Sequence, residues 1–362
     1  MSHPSTHLKP EWVNIIREAV PAAEKAGVLQ HAQLELVHEQ GWFKFLVPQV
    51  YGGLQLPLPD MVRLEESLAW ANGSLGWVVT LCAGAGWFGG FLSPDVAPVI
   101  FADPQLCLAG SGAATGTATI TDGGYLINGR WKYASGVHHA THLTANCVIK
   151  QNGETVLNDD GTSLILPFIF DRKDVTLISA WKFMGMMGTG SDAYEVRDLF
   201  VESNRCFKID PDNAVIDGPL YQYPFIQLAE ATLAANISGM AVHFIDLCAT
   251  IFDERPENKH LTANRRTVIK QLHEKLTSRL NAVRLEFYGA VDASWQGALM
   301  GKATQLEQIG KSSRRLARTA RECVDELYPY CGLQAANPDI EINQVWRDLH
   351  TASQHSLLVF EG

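Results

Sequence analysis

Thr117-Ala118-Thr119-Ile120-Thr121-Asp122-Gly123-Gly124-Tyr125-Leu126-Ile127-Asn128-Gly129-Arg130-Trp131-Lys132-Tyr133-Ala134-Ser135-Gly136 is the stretch on which the fold class turns. Its β-branched and aromatic residues favour extended backbone, and its Asp-Gly and Asn-Gly pairs supply the positive φ of tight hairpins. The pattern predicts strands at 117–121, 125–127 and 131–134. Further apolar runs at Leu143–Ile149, Ser163–Phe170 and Val175–Ile178 are separated by Asn152-Gly153 and Asp160-Gly161. Strands at this spacing describe a central antiparallel β-barrel or sandwich of about 100 residues, spanning 104–204.

The period changes on either side. Before it, residues 1–103 read as an N-terminal helical domain, with helices at Glu11–Ala19, Ala32–Gln40 and Met61–Ala71 and a Pro/Gly loop at Val47–Gly53. After it, residues 205–362 return to helical spacing. Leu272, Leu276, Leu280, Val283 and Phe287 form one stripe; Leu306, Ile309, Leu316, Cys323 and Leu327 form another. Ile342, Val345, Leu349, Ser353, Ser356 and Phe360 outline a final helix. With the small-residue segment Phe225–Phe252, the count is that of a C-terminal four-helix bundle. The expected class is α+β: helical domain, β domain, bundle.

Bulk composition narrows the function. The 362-residue chain is 46% hydrophobic and 19% charged, with a net charge of −10. That balance argues against a nucleic-acid partner, because phosphate binding wants clustered Lys and Arg. The seven cysteines have no CxxC spacing, which suits buried thiols in a reducing cytoplasm. The first 18 residues lack the apolar core of a signal peptide, and no continuous run of about 20 apolar residues suggests a membrane span.

Several motifs carry little alone. Gly110-Ser111-Gly112 with Gly116 departs from dinucleotide spacing and precedes strands, and His138, His139 and His142 lack a completing carboxylate for a metal site. The ordered series is more specific. Leu46-Val47-Pro48, Tyr51-Gly52-Gly53, Glu65-Glu66-Ser67-Leu68-Ala69 and Asn72-Gly73-Ser74-Leu75-Gly76-Trp77 come first. The Asp122 and Asn128 turns, Tyr133-Ala134-Ser135-Gly136, Gly185 through Asp192, Val196 through Val201 and Trp346-Arg347-Asp348 follow. Together these resemble the acyl-CoA dehydrogenase superfamily over nearly the whole chain.

The resemblance implies a flavin between the β domain and the bundle, and it separates two chemistries. Dehydrogenases of this kind place a catalytic Glu eight residues after the Asp of the Arg-Asp pair. Here that position is Ser356, which has no useful basicity near neutral pH. Its neighbour His355 matches the histidine of two-component flavin monooxygenases, and Tyr133–Gly136 is similar to the Phe-Ala-Ser-Gly of that subgroup. By resemblance, reduced FAD or FMN, taken as a co-substrate, reacts with O2 through a C4a-hydroperoxide. Ser135 would then lie at flavin N5, and His355 would contact the oxygen adduct or substrate. Trp181, Thr189, Gly190 and Ser191 would line the cofactor, while Arg347 and Asp348 read as an ion pair holding the last helix.

Two other readings stay open. Glu230 lies one residue from the position where some dehydrogenases carry the base, about 100° away on a helix, so an acyl-CoA dehydrogenase or oxidase remains an alternative. The region around Arg255–Gln271 lacks the Arg-x-x-Phe-Gly of many FAD-binding relatives, which leaves a non-catalytic flavin- or acyl-binding scaffold as a third. The resemblance further implies a homodimer or homotetramer, a separate flavin reductase, and a small aromatic or polycyclic substrate.

Overall fold

Pro10 opens the first helix where a missing N–H costs no hydrogen bond, and Gly27, at φ 72°, ends the second. The computed structural model describes residues 1–254 and 262–360. Its N-terminal helices are α1 (Pro10–Glu18), α2 (Val20–Ala26), α3 (His31–Glu39), α4 (Leu58–Ala71), α5 (Gly73–Gly86) and α6 (Ala97–Phe101). Asn72 both stops α4 and starts α5, its Oδ1 accepting from Leu75 N at 2.9 Å. Because α5 is apolar nearly all round, it is buried on nearly every face. That central helix organises the site described below.

Among the described residues, seven strands follow: β1 (Leu108–Thr121), β2 (Gly124–Ala134), β3 (His142–Gln151), β4 (Glu154–Thr155), β5 (Ile165–Asp171), β6 (Thr176–Ile178) and β7 (Asp192–Glu202). Their order is β4-β3-β1-β2-β7-β6, with β5 on β3. The sheet is mixed rather than wholly antiparallel, because β1 and β3 run parallel with a register break between Ser111 and Gly116. Asp122-Gly123 makes the expected hairpin, Gly123 lying at φ 74°.

Asn128-Gly129 does not turn the chain; β2 runs straight through it with a shift of register against β7. Gly129 is there for space instead. A Cβ would stand 2.6 Å from Gly116 Cα and 2.6 Å from the Trp131 ring. The Gly110–Gly116 segment is likewise strand, not a phosphate loop.

The C-terminal helices are α7 (Pro219–Gln222), α8 (Phe225–Glu254), α9 (Ala263–Leu299), α10 (Leu306–Leu327), α11 (Glu341–Ala352) and α12 (Ser356–Val359). The last stripe is therefore not one helix. α11 stops at Ala352, and His355 takes an extended conformation (φ −61°, ψ 130°) and caps α12. By length and composition α8 could cross a membrane, but 72% of its most apolar window is buried inside the protein.

Two cores result. One joins the helices before and after the sheet; the other, around Ile127, Trp131, Leu143, Phe168 and Tyr194, fills the β region. Across the first core Arg284 Nε and Nη2 reach both oxygens of Glu66 at 2.7 and 2.8 Å, and Ser238 Oγ donates to the same carboxylate at 2.5 Å.

Candidate functional site

Ser135 follows the last residue of β2, where the chain bends toward α5. The approach is close: a Cβ on Gly136 would stand 2.7 Å from Cys82 Sγ and 3.1 Å from Val78. Ser135 Oγ lies 2.8 Å from Ser191 Oγ, which lies 2.7 Å from Thr189 Oγ1, which donates to Met186 O at 2.6 Å. One proton per hydroxyl fixes the direction of this relay. Thr189 spends its proton on Met186 O, so Ser191 donates to Thr189 and Ser135 donates to Ser191. Ser135 Oγ then has only lone pairs to offer a ligand.

His355 reaches the same helix from the other side, its ring 6.1 Å from that of Trp77 and nearly edge-on. Nδ1 accepts from Leu357 N at 3.4 Å, which places the proton on Nε2. Burial holds its pKa below the ordinary histidine value, so the imidazole is neutral near pH 7. Residues 77–82 of α5 thus bring His355 and Ser135 to one stretch of backbone.

Trp181 packs 4.5 Å from Phe183 and 5.7 Å from Tyr133, and its Nε1 is buried without a partner. Tyr133 is 50% and Phe183 44% exposed, an open aromatic shelf beside the serines. Asp192 braces this shelf, Oδ1 accepting from the Ala180 and Trp181 amides at 2.6 and 2.9 Å while Oδ2 meets His138 Nε2 at 2.9 Å. Gly190 lies at φ 54° under the His138 ring, turning the chain from Thr189 to Ser191. A flat polar heterocycle suits these residues: the shelf offers ring contact, Ser135 an acceptor, and Trp181 Nε1 an unspent donor.

Glu230 does not join them. It points to α10, 2.5 Å from Arg314 Nη1, whereas the α5-facing side of α8 carries Asn236 and Met240. Nor do Arg347 and Asp348 hold the helix as a mutual ion pair. Arg347 pairs with Glu24 at 2.8 Å and donates to Met184 O, while buried Asp348 accepts from Met186 N and from Gln344. They point to different partners because Asp348 faces the core and Arg347 the rim. His138 and His142 are each spent on a single carboxylate, Asp192 and Asp171. The first residues of the 255–271 segment, 255–261, lie outside the described residues. Sequence reasoning missed Trp77, Cys82, Asp348 and Asp192 as parts of the site; the Asn72–Trp77 and Arg-Asp motifs were visible, but not what they touch.

Comparison with known proteins identifies what the whole chain is similar to. The family described as acyl-CoA dehydrogenase, C-terminal domain, matches residues 231–360. The oxygenase subunit HsaA of a flavin-dependent monooxygenase from Mycobacterium tuberculosis is 26% identical over 356 residues, covering 94% of this chain and 88% of that protein. Indole-3-acetate monooxygenase of Pseudomonas putida is 24% identical over 88% of this chain and 81% of its own length. XiaF from Streptomyces sp., solved in complex with FADH2 and glycerol, superposes with a TM-score of 0.87 at 21% identity, covering 96% of this chain and 89% of that one. The chain thus carries the acyl-CoA dehydrogenase C-terminal domain over residues 231–360 and is similar over most of its length to oxygenase subunits of flavin-dependent monooxygenases.

Proposed function

We propose that this protein is the oxygenase component that inserts one atom of O2 into a small aromatic or polycyclic substrate, using reduced FAD or FMN delivered by a separate reductase. The observation that carries the reading is the placement of both groups against α5, a neutral imidazole at Trp77 and, at Cys82, a serine left with acceptor capacity alone. Bound reduced flavin supplies the electrons that activate oxygen.

The chain's own residues do the rest. Tyr133, Trp181 and Phe183 would hold the ring, with Thr189, Gly190 and Ser191 closing one edge. Ser135 Oγ accepts an N–H and keeps that proton from wandering. His355 donates a hydrogen bond from Nε2 while Nδ1 stays fixed by the Leu357 N–H. The apolar surface of α5 keeps water from both side chains. Trp77 offers an aromatic wall to the substrate, in keeping with the aromatic substrate named for the indole-3-acetate relative. Glu230, the base that the dehydrogenase alternative would use, is held by Arg314 instead.

The same reading divides the chain at about 103 and 204, supported by the two separate cores. It includes a homodimer or homotetramer, supported by the exposed Val268 and Leu285 on α9. A cytoplasmic location is supported by buried thiols such as Cys82, Cys107, Cys147 and Cys323.

The test supplies the protein with a flavin reductase, NADH, FMN or FAD, and 18O2, and offers phenols, naphthols and indoles. The expected result is a hydroxylated product carrying one 18O. Unlabelled product or none, with oxidised flavin bleached by an acyl-CoA, would overturn the reading in favour of dehydrogenation. In the same assay Ser135→Ala removes one neutral hydrogen bond. Product per reduced flavin is then expected to fall roughly 2- to 12-fold, with hydrogen peroxide rising to match; an unchanged ratio would take Ser135 out of the mechanism.

A further inference from the structure

The Arg-Asp pair of α11 grips a loop of the β region rather than a partner on its own helix. Asp348 is fully buried, and burial, with Glu24 nearby, raises its carboxyl to about 7. A fold does not bury such a group without a reason in its partners. Those partners are Met186 N, 2.5 Å from Oδ1, and Gln344 Nε2, 2.9 Å from Oδ2. Met186 is a non-glycine residue held at φ 56°, a conformation that persists only where surroundings impose it. Gly185 permits the approach, since a Cβ there would stand 2.2 Å from Arg347 O. Arg347 fixes the upstream side by donating to Met184 O at 2.5 Å.

From Met186 the connection runs directly into the site. Its carbonyl accepts the Thr189 proton, and that acceptance sets the direction of the Thr189–Ser191–Ser135 relay. We infer that Asp348 is a positioning residue: by pinning Met186 it keeps the Met186 carbonyl under Thr189 and so leaves Ser135 an acceptor. α11 also ends at Ala352, three residues before His355. One helix therefore sets both the hydroxyl and the imidazole. The claim about Ser135's role toward a flavin rests on the function proposed above; the claim that Asp348 holds the relay does not.

The experiment has two arms, and the first uses flavin-free protein. Amide hydrogen exchange is followed over residues 184–191 and 135–139 in wild type, Asp348→Ala and Asp348→Asn. Asparagine still accepts from Met186 N through Oδ1, and the Gln344 amide can turn to meet its NH2. Asp348→Ala is expected to raise exchange at both segments roughly tenfold, the loss of one buried hydrogen bond, and Asp348→Asn to restore wild-type protection. Exchange in Asp348→Ala equal to wild type, or Asp348→Asn as unprotected as alanine, would overturn the inference.

If alanine does not fold, Thr189→Val replaces it. That nearly isosteric change cuts the relay below the clamp, and is expected to deprotect 135–139 while leaving Met186 protected; protection of 135–139 unchanged would overturn the inference. In the second arm, wild type and Asp348→Asn are expected to share one product-to-peroxide ratio, with Asp348→Ala shifted toward peroxide. An alanine ratio equal to wild type overturns the inference. Wild type that forms no 18O product instead overturns the proposed function, and the exchange arm still decides the clamp.

Discussion

Replacing His355 with alanine is expected to lower hydroxylated product per reduced flavin by about 10²–10⁴, the range that loss of a positioned proton donor gives, with hydrogen peroxide taking its place. Two structural facts shape the test. His355 caps α12 through Nδ1, so alanine also removes a cap worth about 0.5–2 kcal/mol. Asparagine caps a helix well but has no imidazole. If His355→Asn loses hydroxylation as alanine does while matching wild type in thermal unfolding, the imidazole is the cause. A wild-type product-to-peroxide ratio in both variants would sink the assignment.

The acid side of the pH profile gives an independent reading. Burial lowers the His355 pKa, so the ring stays neutral down to a pH below the ordinary histidine value of about 6.5. The acid limb assigned to this residue should therefore fall below pH 6.5 in wild type and vanish in the alanine variant. Protonation at lower pH would place a proton on Nδ1, where the Leu357 N–H needs an acceptor. Loss of activity on that limb should coincide with loosening of the last turn.

How much of this was legible beforehand depends on the kind of signal. Helical periods at Leu272–Phe287 and Leu306–Leu327 and the Asp122-Gly123 hairpin are local, and they stand in the structure where spacing put them. Asn128-Gly129 was misleading because one dipeptide serves two purposes. Glycine can turn a chain or admit a neighbour, and only the Trp131 ring packed against it decides which. The break before His355 was invisible for a related reason: Ser353 and Ser356 keep the helical stripe, and the interruption comes from a side-chain cap. In the site, Ser135, Thr189 and Ser191 could be named from motifs, but not their order of donation, which depends on Met186 O. Trp77 and Asp348 act through contacts 278 and 162 positions away along the chain, to His355 and Met186. No local pattern encodes such pairings.

The second large effect concerns stability. Arg284→Met should cost about 3–5 kcal/mol, the range measured when one partner of a buried ion pair is removed. The case for the upper part of that range is geometric. Both oxygens of Glu66 accept from Arg284, Ser238 Oγ donates to one of them, and Arg284 Nη1 and Nη2 also reach Asn281 Oδ1 and Ser2 O at 2.7 and 3.3 Å. Methionine fills much of the guanidinium's volume but leaves a buried carboxylate with only the hydroxyls of Ser238 and Tyr288 beside it. The pair as a whole is a different matter, since burying two charges costs nearly what their attraction returns. Adding Glu66→Gln to Arg284→Met should therefore recover most of the loss. Urea unfolding followed by tryptophan fluorescence reads both variants, and a double mutant as unstable as Arg284→Met alone would mean that Arg284 acts by packing, not by pairing. The distinction reaches the site, because α4, which carries Glu66, ends at Asn72, the cap of α5. An unpaired Glu66 should shift α4 and loosen the start of the helix that carries Trp77, so Arg284→Met at permissive temperature is expected to leak peroxide while the double mutant does not.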